Sequence, residues 1–186
     1  QFIEDEKIPA LLSENPVDSY LLKLVSSLSE QAHFSKKKTN NELSPFILIN
    51  FLDNLDPAKM YFTRSDIRYF QRYRFKIDDS LTQGNLEPIY DIFRIYRLRV
   101  QQRLGFSLKT LLNYNKNFES DSSYDFNNNS KNWLEDIEQL ESLWQKKTYN
   151  DLLTLILAGQ TKEIATDVLE KRYKRFVKKI NLFNEE

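Results

Sequence analysis

The sequence predicts an all-α fold of about six helices in an irregular bundle, including one long helix over about residues 86–112. Three observations carry this expectation. Glycine occurs 3 times and proline 5 times in 186 residues, against roughly 12% for the pair in average usage. Apolar residues recur at three- and four-residue spacing through most of the chain. Capping residues stand where those periodic stretches begin, and glycines where several end. The length suits a single domain over 1–186.

Asn15-Pro16 is a cap followed by proline at the first helical position, and Val17, Tyr20, Leu21, Leu24, Val25 and Leu28 share a face, giving a first predicted helix over about 16–31. Residues 35–41 hold three lysines and two asparagines without an apolar period and are expected to form a loop. Ser44-Pro45 repeats the cap-and-proline device before the stripe Leu48, Phe51, Leu52 and Leu55. Pro57 must end this second helix, because it disfavours helical backbone at Asp56 and brings no amide donor.

After a tight turn, Thr63 and Asp66 have the spacing of a capping box with Asp in place of Glu. They start a third predicted helix that buries Ile67, Phe70, Ile77 and Leu81 and stops at Gly84. Asn85 caps the fourth, where Pro88 falls among first-turn amides that lack an intrahelical acceptor anyway. Its stripe runs Leu86, Ile89, Tyr90, Phe93, Tyr96, Val100, Leu104, Leu108 and Leu111, with Gly105 marking a bend. Residues 113–132 are dominated by Asn, Ser and Asp, so a long mobile loop is expected there, with Phe118, Tyr124 and Phe126 as anchors. The fifth helix starts near Leu134, packs through Ile137, Leu140, Leu143, Trp144, Leu152, Leu155 and Ile156, kinks near 148–150, and ends at Gly159. Thr161 caps the sixth, whose expected inner face is Ile164, Val168, Tyr173, Phe176, Val177 and Ile180.

Composition excludes several chemistries. Gly84, Gly105 and Gly159 are too far apart for a Walker A loop, a dinucleotide-binding glycine motif or a G-x-S-x-G elbow. There is no cysteine, so thiol catalysis, disulfides and cysteine–zinc sites are out. His33 is the single histidine, which leaves a Ser-His-Asp triad one candidate base and no supporting serine motif. A hydrogen-bonded histidine at a helix end is the plainer reading. Asp53 with Asp56, and Asp78 with Asp79, could be acid/base or metal pairs, but helix-end charge and exposed surface explain them as well.

Bases and acids number 27 each, so no whole-protein attraction to nucleic acid or anionic membrane is expected. Local charge is uneven. Residues 94–109 hold Arg94, Arg97, Arg99, Arg103 and Lys109 without an acid, and residues 170–180 hold six bases against Glu170. Residues 119–141 and 1–30 are acidic. Pairing between neighbouring helices, with solvation of the rest, is the expected use. Arg68 to Lys76 interleaves bases with aromatics, as a single-stranded nucleic-acid grip would, and Lys171 to Lys179 is similar. At helical spacing, however, Phe70 and Ile77 point one way and Arg68, Arg72 and Lys76 another, which describes an amphipathic helix. The longest wholly apolar runs are four residues, such as Leu155 to Ala158, against the roughly 20 of a membrane span. Starting at Gln1 with no basic-then-apolar leader, the chain is expected to be a segment of a longer polypeptide.

Leu55-Asp56-Pro57-Ala58-Lys59-Met60-Tyr61-Phe62-Thr63-Arg64-Ser65-Asp66-Ile67 resembles the L-D-P-x-x-x-Y-F-x-x-S-D-I signature in the N-terminal helical domain of the tail-specific (carboxyl-terminal processing) proteases of Gram-negative bacteria. His33-Phe34, Gly84-Asn85-Leu86 with Tyr90-Asp91, Leu143-Trp144, Leu157 to Thr161 and Arg172 to Arg175 resemble further segments of that domain in the same order, over about residues 16–182. Lys171, Gln160 and the 121–130 stretch depart from the family pattern.

The resemblance implies a family that cleaves proteins from nonpolar C-terminal tails in the periplasm. It uses a Ser–Lys dyad in a later protease domain and a PDZ domain that reads the tail. Neither belongs to this segment, so it implies no catalytic, cofactor-binding or metal-ligating residue here, and no cofactor. The implied role is a non-catalytic scaffold shaping the enclosure around the PDZ and protease domains of the same chain, and helping admit substrate or a helical-repeat lipoprotein adaptor. Nucleic acid is not among the implied partners. A free-standing helical interaction module is the alternative that composition allows.

Overall fold

The computed structural model describes residues 25–27, 30, 43–114 and 132–182. Its elements between residues 43 and 182 are α1 (Leu43–Leu55), α2 (Arg64–Phe70), a 3-10 turn (Gln71–Tyr73), α3 (Ile77–Gln83), α4 (Glu87–Leu112), α5 (Ile137–Leu157) and α6 (Lys162–Leu182), with no strand among the described residues. Residues 25–27 and 30 are helical, in agreement with the first predicted helix. The rest of that helix, its cap, the 35–41 loop, His33, and all but the ends of the 113–132 loop lie outside the described residues.

The long helix is the axis of the fold. α4 runs 26 residues, about 39 Å at 1.5 Å each, and packs along α5 and α6, which also pack on each other. Ile89, Phe93, Tyr96, Val100, Leu104, Leu108 and Leu111 of the expected stripe are buried. α3 joins the bundle through α1 and α4.

Both glycine stops close in the same way. Gly84 has φ +74° and Gly159 φ +93°, the left-handed region that a side chain would strain. At each, the next amide reaches back across the helix end, from Asn85 to the Ser80 carbonyl at 2.8 Å and from Gln160 to the Leu155 carbonyl at 3.2 Å. Together with the glycine N–H bonds to Leu81 and Ile156, these are Schellman motifs.

The third predicted helix is divided into two short helices separated by the 3-10 turn and residues 74–76. The apolar period alone allowed one straight helix, since Phe70 and Ile77 are both fully buried. The break redirects the chain so that α3 packs against α1, a demand the local pattern does not contain. α1 begins at Leu43, so Ser44 is already helical instead of capping; it is buried, and its hydroxyl has no hydrogen-bond partner among the described residues. α5 starts at Ile137 and stays helical through 148–150, without the interruption expected there. On α6 the inner face is Ala165, Leu169, Tyr173, Val177 and Ile180. Ile164, expected inside, is 54% exposed, because one residue of offset turns a side chain by about 100° around the helix.

Candidate functional site

The turn between α1 and α2 carries the signature, and it is built around two carboxylates. Asp56 follows the last residue of α1 and is fully buried. Its Oδ1 accepts the Met60 N–H at 2.8 Å, and its Oδ2 accepts the N–H groups of Tyr61 at 3.1 Å and Phe62 at 3.0 Å and the Trp133 indole N–H at 3.0 Å. Pro57 has no amide to continue the helix, and a short carboxylate is the side chain that can satisfy a run of turn amides. Lys59 takes φ +55° to let the chain reverse, and its amide donates to the Asp56 carbonyl at 3.0 Å. The Lys59 ammonium pairs with Asp53 and lies 3.9 Å from the centre of the Trp133 ring. Burial pushes the Asp56 carboxyl above its usual range, while the Phe62, Met60, Tyr61 and Trp133 donors pull it back.

Asp66 is the second carboxylate, also buried. It forms the expected capping box: the Thr63 amide donates to Asp66 Oδ2 at 2.9 Å and the Asp66 amide donates to Thr63 Oγ1 at 3.2 Å. The same carboxylate receives Arg99 of α4 in a forked pair, Nε at 2.9 Å and Nη2 at 2.7 Å. A local cap thereby becomes a link between α2 and the middle of the long helix.

Between the carboxylates, Tyr61 and Phe62 enter the core. Phe62 is fully buried, with ring centres 5.3 Å from Phe70 and 5.8 Å from Tyr96. Tyr61 lies 5.5 Å from Tyr96, 5.4 Å from Trp144 and 6.5 Å from Phe176, so it meets α4, α5 and α6 together. Trp144 closes the arrangement by donating its indole N–H to the Met60 carbonyl at 2.7 Å. The 132–136 segment is stitched on by the Arg64 amide to the Leu134 carbonyl at 2.8 Å and by Arg64 and Arg68 to Glu135.

These bonds correct the sequence reading of Asp56. It stands at the end of α1, as expected, but is buried rather than exposed, and it is not paired with Asp53 as an acid/base or metal couple; it is the internal acceptor of the turn. A carboxylate closed in by four N–H donors has no face toward a substrate proton. Asp79 is exposed and Asp78 half-buried in the first turn of α3, where negative charge complements the helix dipole. No group of three His, Cys, Asp or Glu residues that could hold a metal ion occurs among the described residues. Arg68, Arg72 and Lys76 are exposed while Phe70 and Ile77 are buried, as the amphipathic reading requires; Arg72 lies over the Tyr69 ring at 3.3 Å.

The α4 cluster departs from the expectation of pairing plus solvation. Arg94 pairs with Asp91, and Arg99 with Asp66. Arg97 is buried and reaches Asn181 at 3.5 Å. Arg103 is 2% exposed, with Nε and Nη2 lacking hydrogen-bond partners among the described residues, and burial lowers its pKa. Its position in the stripe, three residues after Val100 and one before Leu104, was the available signal for an inward guanidinium.

A family model described as the tail-specific protease N-terminal domain matches residues 24–186. The chain belongs to that family. Over 177 residues it is 25% identical to the tail-specific protease of Haemophilus influenzae, a match that takes in 95% of this chain and 25% of that protein. The chain therefore spans about a quarter of the length of this curated relative. Within the family domain, several of the other resembling segments have physical roles among the described residues. Leu143-Trp144 places the indole that seals the signature turn, and Gly84 and Gly159 close helices.

Asp91, the last residue of the Tyr90-Asp91 pair, accepts the Tyr73 hydroxyl at 2.8 Å and Arg94 at 2.9 Å. Burial pushes its carboxyl up, but the donors Arg94, Tyr73 and Tyr69 together hold it below the usual range. A depressed carboxyl stabilises the fold above its unfolded value of 3.8, and that contribution is lost as pH falls toward its folded value. NMR titration should therefore show Asp91 protonating below 3.8, and Tyr73→Phe should move it upward. An unshifted Asp91 in the Tyr73→Phe protein would remove the hydroxyl from this account.

Proposed function

We propose that this chain is the N-terminal, non-catalytic scaffold of a periplasmic serine protease that acts on proteins with nonpolar C-terminal tails. It shapes the enclosure around the PDZ and protease domains of the parent polypeptide and helps admit substrate or a helical-repeat lipoprotein adaptor. The chemistry, a Ser–Lys dyad, belongs to a later part of that polypeptide. The observation that carries the reading is the signature turn itself. Asp56 and Asp66, the two carboxylates of the family signature, are bonded inside the domain to backbone amides and to Trp133 and Arg99, while the signature's Ser65 is exposed. Residues used this way set helix geometry and are not displayed to a ligand. No described helix is long and apolar enough to cross a membrane.

The test is direct. Purified residues 1–186, incubated with an unstructured protein ending in apolar residues, should leave it intact, whereas the full-length parent should degrade it. Cleavage by the fragment that disappears on mutating one of its own serines would overturn the reading.

A further inference from the structure

We propose that the outward face of α6 docks on an acidic surface in the remainder of the parent polypeptide, an inference that rests on the reading of the chain as one domain of a longer protein. α6 buries Ala165, Leu169, Tyr173, Val177 and Ile180. At about 100° per residue, Ile164, Lys171, Arg175 and Lys178 lie on the opposite side and Arg172 and Lys179 flank it, all of them exposed. Lys171 pairs with Asp167 at 2.8 Å. Arg172, Arg175, Lys178 and Lys179 pair with no carboxylate among the described residues, and no acid occurs in the sequence from Lys171 through Leu182.

The helix dipole accounts for a cation in the last turn, such as Lys179. It does not reach Arg172 and Arg175, which lie higher on the helix. The contrast with α4 is informative. There, Arg94 and Arg99 pair with Asp91 and Asp66, and Arg97 and Arg103 are buried. A basic stretch of similar sequence charge is absorbed by the fold on α4 and left facing outward on α6.

The occupant follows from position and chemistry. The family model is of an N-terminal domain, and the relative is about four times as long as the aligned region, so most of such a polypeptide follows α6. A surface tethered to the end of this helix is present at high effective concentration, so ion pairs that are weak individually suffice. Single-stranded nucleic acid would need rings on the same face, but Tyr173 is buried and Phe176 packs against the core. The zero net charge supplies no long-range attraction to nucleic acid or to an anionic membrane.

Zero-length carbodiimide coupling of the full-length parent at low salt, followed by peptide mapping, tests the docking. Lys178 or Lys179 should be joined to an Asp or Glu beyond Glu186. The link should be lost near 0.5 M salt, where the screening length falls to about 4 Å, and lost in Arg172→Glu/Arg175→Glu protein whose helical circular dichroism is unchanged. Links confined to carboxylates within residues 1–186, no links at all, or links that survive the double substitution would overturn it. So would salt-sensitive binding of a labelled single-stranded oligonucleotide or of phosphatidylserine vesicles that the double substitution abolishes. Tail cleavage, assayed separately, keeps the two readings apart: an active protease without these links overturns the docking alone, and an inactive parent with them overturns the function alone.

Discussion

Asp56→Ala is expected to be one of the two most destabilising single substitutions in the signature turn. It removes one acceptor and orphans four donors at once, the amides of Met60, Tyr61 and Phe62 and the Trp133 indole. A buried donor left unpaired costs about 1–3 kcal/mol. Deleting the carboxylate also relieves the burial that pushes its pKa up, which offsets part of the loss. A net cost of about 4 kcal/mol is the expected outcome, a large share of the roughly 5–15 kcal/mol that holds a typical domain together. Asp56→Asn keeps the shape and one acceptor oxygen while turning an NH2 group toward a donor, so it should fall between alanine and wild type. Urea unfolding of residues 1–186, followed by Trp fluorescence and circular dichroism, gives the order. Alanine and wild-type proteins with the same midpoint would mean that water replaces the carboxylate without penalty, and the turn would lose its central role.

Phe62→Ala should cost about 3–5 kcal/mol, the range for truncating a buried aromatic ring, because the side chain is fully buried against Phe70 and Tyr96. Thr63→Ala should cost less, about 1 kcal/mol, as for loss of an N-cap. Arg99 still holds Asp66 when the Thr63 hydroxyl is gone, and this keeps α2 against α4. The ranking Phe62 above Thr63 is therefore a statement about a cavity against a cap. On the proposed function, both changes in the full-length parent should lower activity only in proportion to lost folding or docking, with its proposed catalytic serine still reactive toward a small covalent probe. A folded Phe62→Ala protein with an unreactive serine would show that this turn communicates with the active site, and the scaffold reading would fall.

Much of this domain was legible along the chain because its causes are local. The Thr63–Asp66 cap, the glycine stops at Gly84 and Gly159, and the buried stripe of α4 each follow from residues a few positions apart. Where helices are set by a period of 3.6 residues and by their own ends, the sequence by itself determines that they form and, for α4, which face turns inward. Tertiary structure decided the rest, and in each case the partner is distant. Asp56 meets Trp133 and Asp66 meets Arg99 across separations of 77 and 33 residues. Tyr61 sits at the junction of α4, α5 and α6. The break after Phe70 serves the packing of α3 on α1. Arg103 is inside and Arg175 outside although both sit in basic, helical stretches. Local periodicity fixes a side chain's angle about its own helix axis, but not what other helix lies at that angle. Burial and hydrogen-bond partnership depend on the second quantity, which only the packed chain contains.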